Sequence, residues 1–224
     1  MLSSTEKYLI RAQAVAGVLF SVFLALHISN TLLASFGPEV YNSYQRVIQR
    51  FYQHPVFEIL FILAPLFTHV VAGVWLYSIR KKWRRTLAFR YRLQSWAGFF
   101  LLLVVFGHVI ATRGISFLYG AVPGFEGVSF SLWWVPAYFY PYYFLLFMAG
   151  LYHGTMGVSV LLKRLGYSPA AHLPILVSTL GAIGVSFALL GFGGVLFEID
   201  DPTDNDYARR YGELMGLDLK AMSK

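Results

Sequence analysis

The sequence predicts an all-α integral membrane protein of five transmembrane helices, the first four made from two parallel copies of a helix pair. Three observations lead there. The 224 residues are 57% hydrophobic and only 13% charged, whereas about a quarter of a soluble domain is charged. Five apolar runs, about 13–36, 56–79, 93–111, 137–162 and 173–197, each approach the roughly 20 residues needed to cross a bilayer core. The chain also writes nearly the same helix twice. RAQAVAGVLFSVFLALH, Arg11 to His27, and RLQSWAGFFLLLVVFGH, Arg92 to His108, share Arg, Gln, Ala, Gly and His at identical offsets. The whole chain, 1–224, reads as a single membrane domain.

Composition narrows the chemistry. With no cysteine, the chain has no thiolate for a disulfide, an iron–sulfur cluster or a thioether-linked cofactor. Its formal net charge of +7 is concentrated in short loops between apolar runs. That is a topology signal, and it argues against nucleic acid as a partner.

A short polar start, Met1 to Lys7, leads into the first run, which continues past Leu32 and Leu33 with no small-residue cleavage site and so reads as a retained helix. Between Pro38 and Pro55 the spacing of Val40, Tyr44, Val47, Ile48 and Phe51 predicts an interfacial helix over about 40–52. Pro55 opens the second span, and Pro65 inside it predicts a bend. The loop RKKWRRTLAFRYR carries seven basic and no acidic residues, which predicts the cytoplasmic or matrix side. After the third span a long, weakly charged segment containing Trp133 and Trp134 reads as an aromatic belt on the opposite side. The fourth span closes on Lys163 and Arg164, and the fifth is rich in Gly and Ala, which allow close packing. With the N-terminus inside, these basic groups all fall inside and the tail with Glu198, Asp200, Asp201, Asp204 and Asp206 falls outside.

His27, His69, His108 and His153 lie one in each of the first four spans, where ionisable groups usually mark a ligand or a functional path. Each alone reads as a histidine bonded to a neighbouring helix. Their depths group them. His27 and His108 each follow a basic residue, Arg11 or Arg92, by sixteen positions, roughly 24 Å of helix. His69 precedes Arg80 by eleven positions and His153 precedes Lys163 by ten, roughly 15–16 Å. Two pairs at two depths suit bis-histidine ligation of two haems, so the first four spans are expected to form a di-haem four-helix bundle. A di-metal cage or a proton relay would call for carboxylates, and no acidic residue lies deep in these spans.

Gly17 and Gly98 lie ten residues before their histidines, and Gly73 and Gly157 four after theirs. Such gaps suit a flat macrocycle or, equally, close helix packing. HVVAGV at His69 and HGTMGV at His153 show that the second helix of the pair recurs too, which predicts a pseudo-two-fold axis along the membrane normal. Gln13, Gln94, Arg92, Lys163 and Arg164 are candidate propionate contacts of the inner haem, or ordinary interfacial side chains. His54 and His172, near prolines outside the spans, read as loop residues.

At these residues the chain resembles the di-haem cytochrome b membrane-anchor subunit of the succinate dehydrogenase and fumarate reductase family (succinate:quinone oxidoreductases), in its single-subunit five-helix form. The resemblance covers most of the chain. It rests on Q-x-x-x-G followed by a histidine in the first and third helices, on His69 in the second, and on L-x-H-G, Leu151 to Gly154, in the fourth. It implies two haem b groups, a proximal one on His69 and His153 near the docking side of the iron–sulfur and flavoprotein subunits, and a distal one on His27 and His108. It further implies an energy-transducing membrane, bacterial inner or mitochondrial inner, and electron transfer between the iron–sulfur subunit and membrane quinone. No dicarboxylate site is expected on this chain. The basic loop would then also belong to the docking face. Where some fumarate-reducing members carry a glutamate, this chain has Leu151, which leaves that proton route and the direction of the reaction open. Candidate quinone-site residues on the distal side are Glu58, Glu39, Tyr44, Arg46, His54 and Arg113. The alternative is a free-standing transmembrane di-haem cytochrome b with no dicarboxylate dehydrogenase attached, and a further one is a haem-free anchor whose histidines only bond between helices.

Overall fold

A computed structural model describes residues 3–80 and 88–219. Among the described residues the protein is helical without strands, and five helices are long and apolar enough to cross a membrane. Helix α1, Ser4–Leu33, ends in a 3-10 turn, Ala34–Phe36, and is followed by α2, Pro38–Tyr52. The next helices are α3, Pro55–Ile79, and α4, Phe89–Tyr119. The short α5, Phe125–Trp134, precedes α6, Pro136–Arg164; α7, Leu173–Phe192, and α8, Asp206–Met215, complete the order. The membrane-length helices are α1, α3, α4, α6 and α7.

The boundaries depart from the hydropathy reading for local reasons. Helix α1 starts at Ser4, ahead of the predicted residue 13, because Ser3 and Glu6 form a capping box. The Ser3 hydroxyl accepts the Glu6 N–H at 3.1 Å and the Glu6 carboxylate accepts the Ser3 N–H at 3.0 Å. Helix α7 stops at Phe192, short of residue 197. Gly194 takes φ +72°, and the N–H groups of Gly194 and Val195 donate back to the carbonyls of Gly191 and Leu190, the Schellman closure that glycine permits. Helix α4 runs past the predicted end at residue 111 through a π-helical stretch, Ile110–Gly114, and ends at Gly120 with φ +69°.

Pro65 is preceded by a second π stretch, Glu58–Leu63, inside α3. Proline has no N–H to give and its ring crowds the carbonyl four residues back, and a widened turn accommodates both. The aromatic segment expected as a loop contains α5 instead. Its ten residues are too few to span a bilayer, and its start is held by a partner distant in sequence. Asn42 of α2 accepts the Phe125 N–H at 2.9 Å and donates to Glu126 at 2.8 Å, while Gln45 donates to the Pro123 carbonyl at 2.9 Å.

The described residues form two compact units. One draws on 3–28, 47–80, 88–102 and 148–180, and the other on 29–46, 103–147 and 181–219. Within the first, α1 and α3 form an antiparallel seam. Glu6 pairs with Arg80 at 3.1 Å, and Leu9 packs on Ala72 and Leu76. Tyr77 of α3 meets Phe99 of α4 edge-on at 4.6 Å, and Leu24 of α1 lies against Gly150 and Gly154 of α6. Of the basic loop, Lys81, Lys82, Arg84 and Arg85 lie outside the described residues, while Arg80, Arg90 and Arg92 lie within them.

In the second unit the core is aromatic. Phe125 of α5 packs on Phe192 at 4.7 Å, and both meet the Tyr41 ring edge-on. The last part of α7 approaches the 3-10 turn after α1 closely. A β-carbon built on Gly191 would lie 2.5 Å from the carbonyl oxygen of Ala34, and one on Gly184 would lie 2.8 Å from the tip of Leu32. Backbone cannot rotate away as a leucine tip can. Gly191→Ala is therefore expected to lower stability by about 1–3 kcal/mol and Gly184→Ala by less, an order that thermal unfolding in detergent checks.

Candidate functional site

The site grows from a spacing. In an α-helix the carbonyl of residue i is capped by the N–H of i+4, and the Cα–Cβ bond of i+4 tilts toward the N-terminus, over that carbonyl. Glycine at i+4 leaves the carbonyl open, and a carbonyl oxygen can accept a second hydrogen bond. Gln13 and Gly17 stand in that relation in α1, and Gln94 and Gly98 in α4.

Both openings are filled by a histidine of the antiparallel neighbour. Nδ1 of His69, on α3, lies 3.0 Å from the Gln13 carbonyl oxygen, and Nδ1 of His153, on α6, lies 3.0 Å from that of Gln94. A β-carbon on Gly17 would sit 2.9 Å from the His69 ring, and one on Gly98 would sit 2.9 Å from the His153 ring. The reciprocal glycines receive the glutamine amides, with Gln13 Nε2 2.9 Å from a β-carbon built on Gly73 and Gln94 Nε2 3.8 Å from one on Gly157. The gaps that the sequence assigns to a macrocycle or to bare helix packing are thus taken, at Gly17 and Gly98, by imidazoles.

A carbonyl only accepts, so Nδ1 carries a proton in both rings, and in the neutral ring Nε2 keeps the lone pair. That is the arrangement that orients a metal-binding histidine. The two rings stand with centroids 5.9 Å apart and planes at 84°. Two imidazoles with Nδ1 held on carbonyls are a donor set that could hold a haem iron. Among the described residues no group of three or more His, Asp or Glu comes together. Beside His153, the Tyr152 hydroxyl donates to the Arg90 carbonyl at 3.0 Å, keying α6 to α4 a second time.

The other candidates are more scattered. Gln13 and Gln94 belong to the site through their backbone carbonyls rather than only as polar side chains. Arg92 is exposed with its guanidinium over the Phe89 ring at 5.9 Å, and Lys163 and Arg164 are exposed at the end of α6. His27 lies in the first unit, stacked on Phe23 at 5.7 Å, and His108 in the second, near the end of the regular part of α4.

Of the quinone candidates, His54 and Glu58 belong to the first unit, where the Glu58 N–H donates to the His54 carbonyl at 2.8 Å. In the second unit Glu39 is exposed, Tyr44 is half-buried, Arg46 donates to Ser43 at 2.9 Å, and Arg113 reaches Ser116 at 3.4 Å. Sequence reasoning passed over three polar groups. Asn30 Oδ1 and Arg90 Nε are buried without a hydrogen-bond partner among the described residues, and Tyr152 stands beside His153. A polar residue inside an apolar run was the available signal at Asn30 and Tyr152; Arg90 stood masked among its basic neighbours.

Compared with protein-family models, with curated proteins and with solved structures, the chain matches none. The class of protein is therefore defined by its own fold and site: a helical protein with five membrane-length helices and a facing histidine pair, each ring anchored on a neighbouring backbone carbonyl.

Gly17→Ala and Gly98→Ala each force a ring off its carbonyl and are expected to cost about 1–3 kcal/mol. Gly73→Ala meets only the end of a flexible amide and costs less, and Gly157→Ala, with ordinary contact distances, costs least. Thermal unfolding of the four variants in one detergent gives the order.

Proposed function

We propose that this chain is the membrane-anchoring, quinone-reactive cytochrome b subunit of a succinate:quinone or quinol:fumarate oxidoreductase, carrying two bis-histidine haems. The observation that carries the reading is the His69–His153 pair, two imidazoles with Nδ1 on backbone carbonyls and ring centres 5.9 Å apart. His69 and His153 would hold the proximal haem, and His27 and His108, matched in depth by their offsets from Arg11 and Arg92, the distal haem. Bound there, haem supplies one-electron transfer between an iron–sulfur subunit and membrane quinone.

The chain's own residues do the rest of the work. The Gln13 and Gln94 carbonyls hold each ring in one tautomer and direction, Gly17 and Gly98 give the rings room, and the apolar side chains of the helices keep water away. The basic loop and the basic ends of α3 and α6 are assigned to the cytoplasmic or matrix side, with the N-terminus there and the C-terminus opposite. The iron–sulfur and flavoprotein subunits would dock on that side, and the dicarboxylate site belongs to them.

An absorption spectrum of the purified protein tests the haem assignment. Dithionite-reduced b-type bands are expected, and their absence after expression with haem supplied would overturn it. His69→Ala and His153→Ala are each expected to remove one and the same haem, and His27→Ala and His108→Ala the other. Loss of a different haem by the two members of a pair would break the pairing. Purification from the native membrane tests the partners. A flavoprotein and an iron–sulfur subunit in the complex support the reading, and an active preparation that reproducibly lacks both favours the free-standing cytochrome.

A further inference from the structure

We propose that Tyr207, in the C-terminal helix α8, is a positioning residue for His108: it holds the π-helical turn that follows this histidine in α4. The inference rests on the reading of His108 as a haem ligand and adds a role for the tail.

The π stretch Ile110–Gly114 begins two residues after His108. A π turn carries one residue more than an α turn, and one residue is about 100° of rotation. The face on which His108 stands and the face carrying Ile115 are therefore related through this turn, and its relaxation to α geometry would rotate one against the other. π turns are rare and are found frequently at functional sites.

Here the fastenings are visible. Thr112 Oγ1 donates to the His108 carbonyl at 2.8 Å. The Tyr207 hydroxyl, from a helix nearly a hundred residues further on, donates to the carbonyl of Ala111 at 3.1 Å. The Ala111 carbonyl, inside the π stretch, thus takes a donor from outside its own helix.

Tyr207 is itself fixed. It is 7% exposed and packs with Ile115, Ala121, Phe130 and Ala208. Its ring stacks on Tyr211 at 5.9 Å and lies 3.2 Å from where a β-carbon on Gly127 would be. Helix α8 is capped at both ends. The Asn205 side chain accepts the Ala208 N–H at 2.8 Å, and Gly216, at φ +66°, closes the other end as Leu217 N–H returns to the Gly212 carbonyl. Burial, with the neighbouring tyrosines adding to it, pushes the Tyr207 hydroxyl above its ordinary range, so it stays a donor throughout the physiological pH range. The hydroxyl is therefore a preset donor aimed at a single carbonyl three residues beyond the proposed ligand.

The test uses the full chain purified with haem. Low-temperature EPR of the oxidised protein reports the angle between the two axial imidazoles of each low-spin haem, and the signal lost in His108→Ala identifies the one concerned. Tyr207→Phe keeps the ring and removes only the donor. It is expected to shift that signal, and the midpoint potential of the same haem, while leaving the other haem unmoved. Gly127→Ala, which displaces the Tyr207 ring, is expected to give the same selective shift. Hydrogen exchange provides an arm that does not need haem: amides of residues 112–115 should exchange roughly fivefold faster or more in Tyr207→Phe, the worth of about one hydrogen bond.

Two haems whose signals are unmoved in both variants, or moved equally, overturn the positioning role and leave the proposed function standing. Unchanged exchange overturns it as well. A wild-type protein that binds no haem overturns the proposed function, and the role of Tyr207 toward a ligand with it.

Discussion

The first unit of this protein depends on a histidine proton placed on the backbone carbonyl of a neighbouring helix, an arrangement made twice. An imidazole in an apolar surrounding must have its N–H satisfied, and in a bundle of helices the backbone offers few open acceptors, because each carbonyl is already used by the N–H four residues on and shielded by that residue's side chain. Glycine at Gly17 and Gly98 removes the shield over Gln13 and Gln94. The glycine, the glutamine carbonyl and the histidine are therefore one device. In the proposed function the same device would also serve chemistry, since a proton held on Nδ1 leaves Nε2 as the nitrogen that a haem iron would take.

The two copies of this device are not identical around it. Beside the first, Leu9 packs on Ala72 and Leu76, and the seam is closed by the Glu6–Arg80 pair. Beside the second, the positions equivalent to Leu9 and Thr68 are Arg90 and Tyr152, and the tyrosine hydroxyl is bonded to the Arg90 carbonyl. The shared parts are those that hold the imidazoles; of the differing parts, Leu9 and Arg90 lie one turn from the glutamines, and Thr68 and Tyr152 directly precede the histidines. That is the pattern expected if the ring geometry is the common requirement and the surroundings are free to diverge.

The second unit solves a different problem, how to end membrane helices and tie short segments to them. Asn42 and Gln45 on α2 collect the donors and acceptors at the start of α5, and the Tyr207 hydroxyl collects a carbonyl from the π turn of α4. None of these partners is local. Helix α5 has neither the length to span a bilayer nor a side-chain cap of its own, so its existence depends on α2.

Much was legible in the sequence because its signals are local or periodic. Five apolar runs become five membrane-length helices since burying backbone in hydrocarbon demands helix and about 20 residues. The offsets of His69 from Arg80 and of His153 from Lys163 pointed to these two as partners, because rise per residue converts sequence distance into depth. The start of α1 was also written in the sequence, as the capping pair Ser3 and Glu6, but hydropathy alone does not read it. What only the tertiary structure decided is what fills each glycine gap, which carbonyl each imidazole takes, and that Phe125–Trp134 and Asp206–Met215 are helices joined to distant partners. Depth fixes one coordinate of a side chain. Its rotation about the helix and the identity of the group opposite are set by packing between segments far apart in the chain, and no local pattern encodes them.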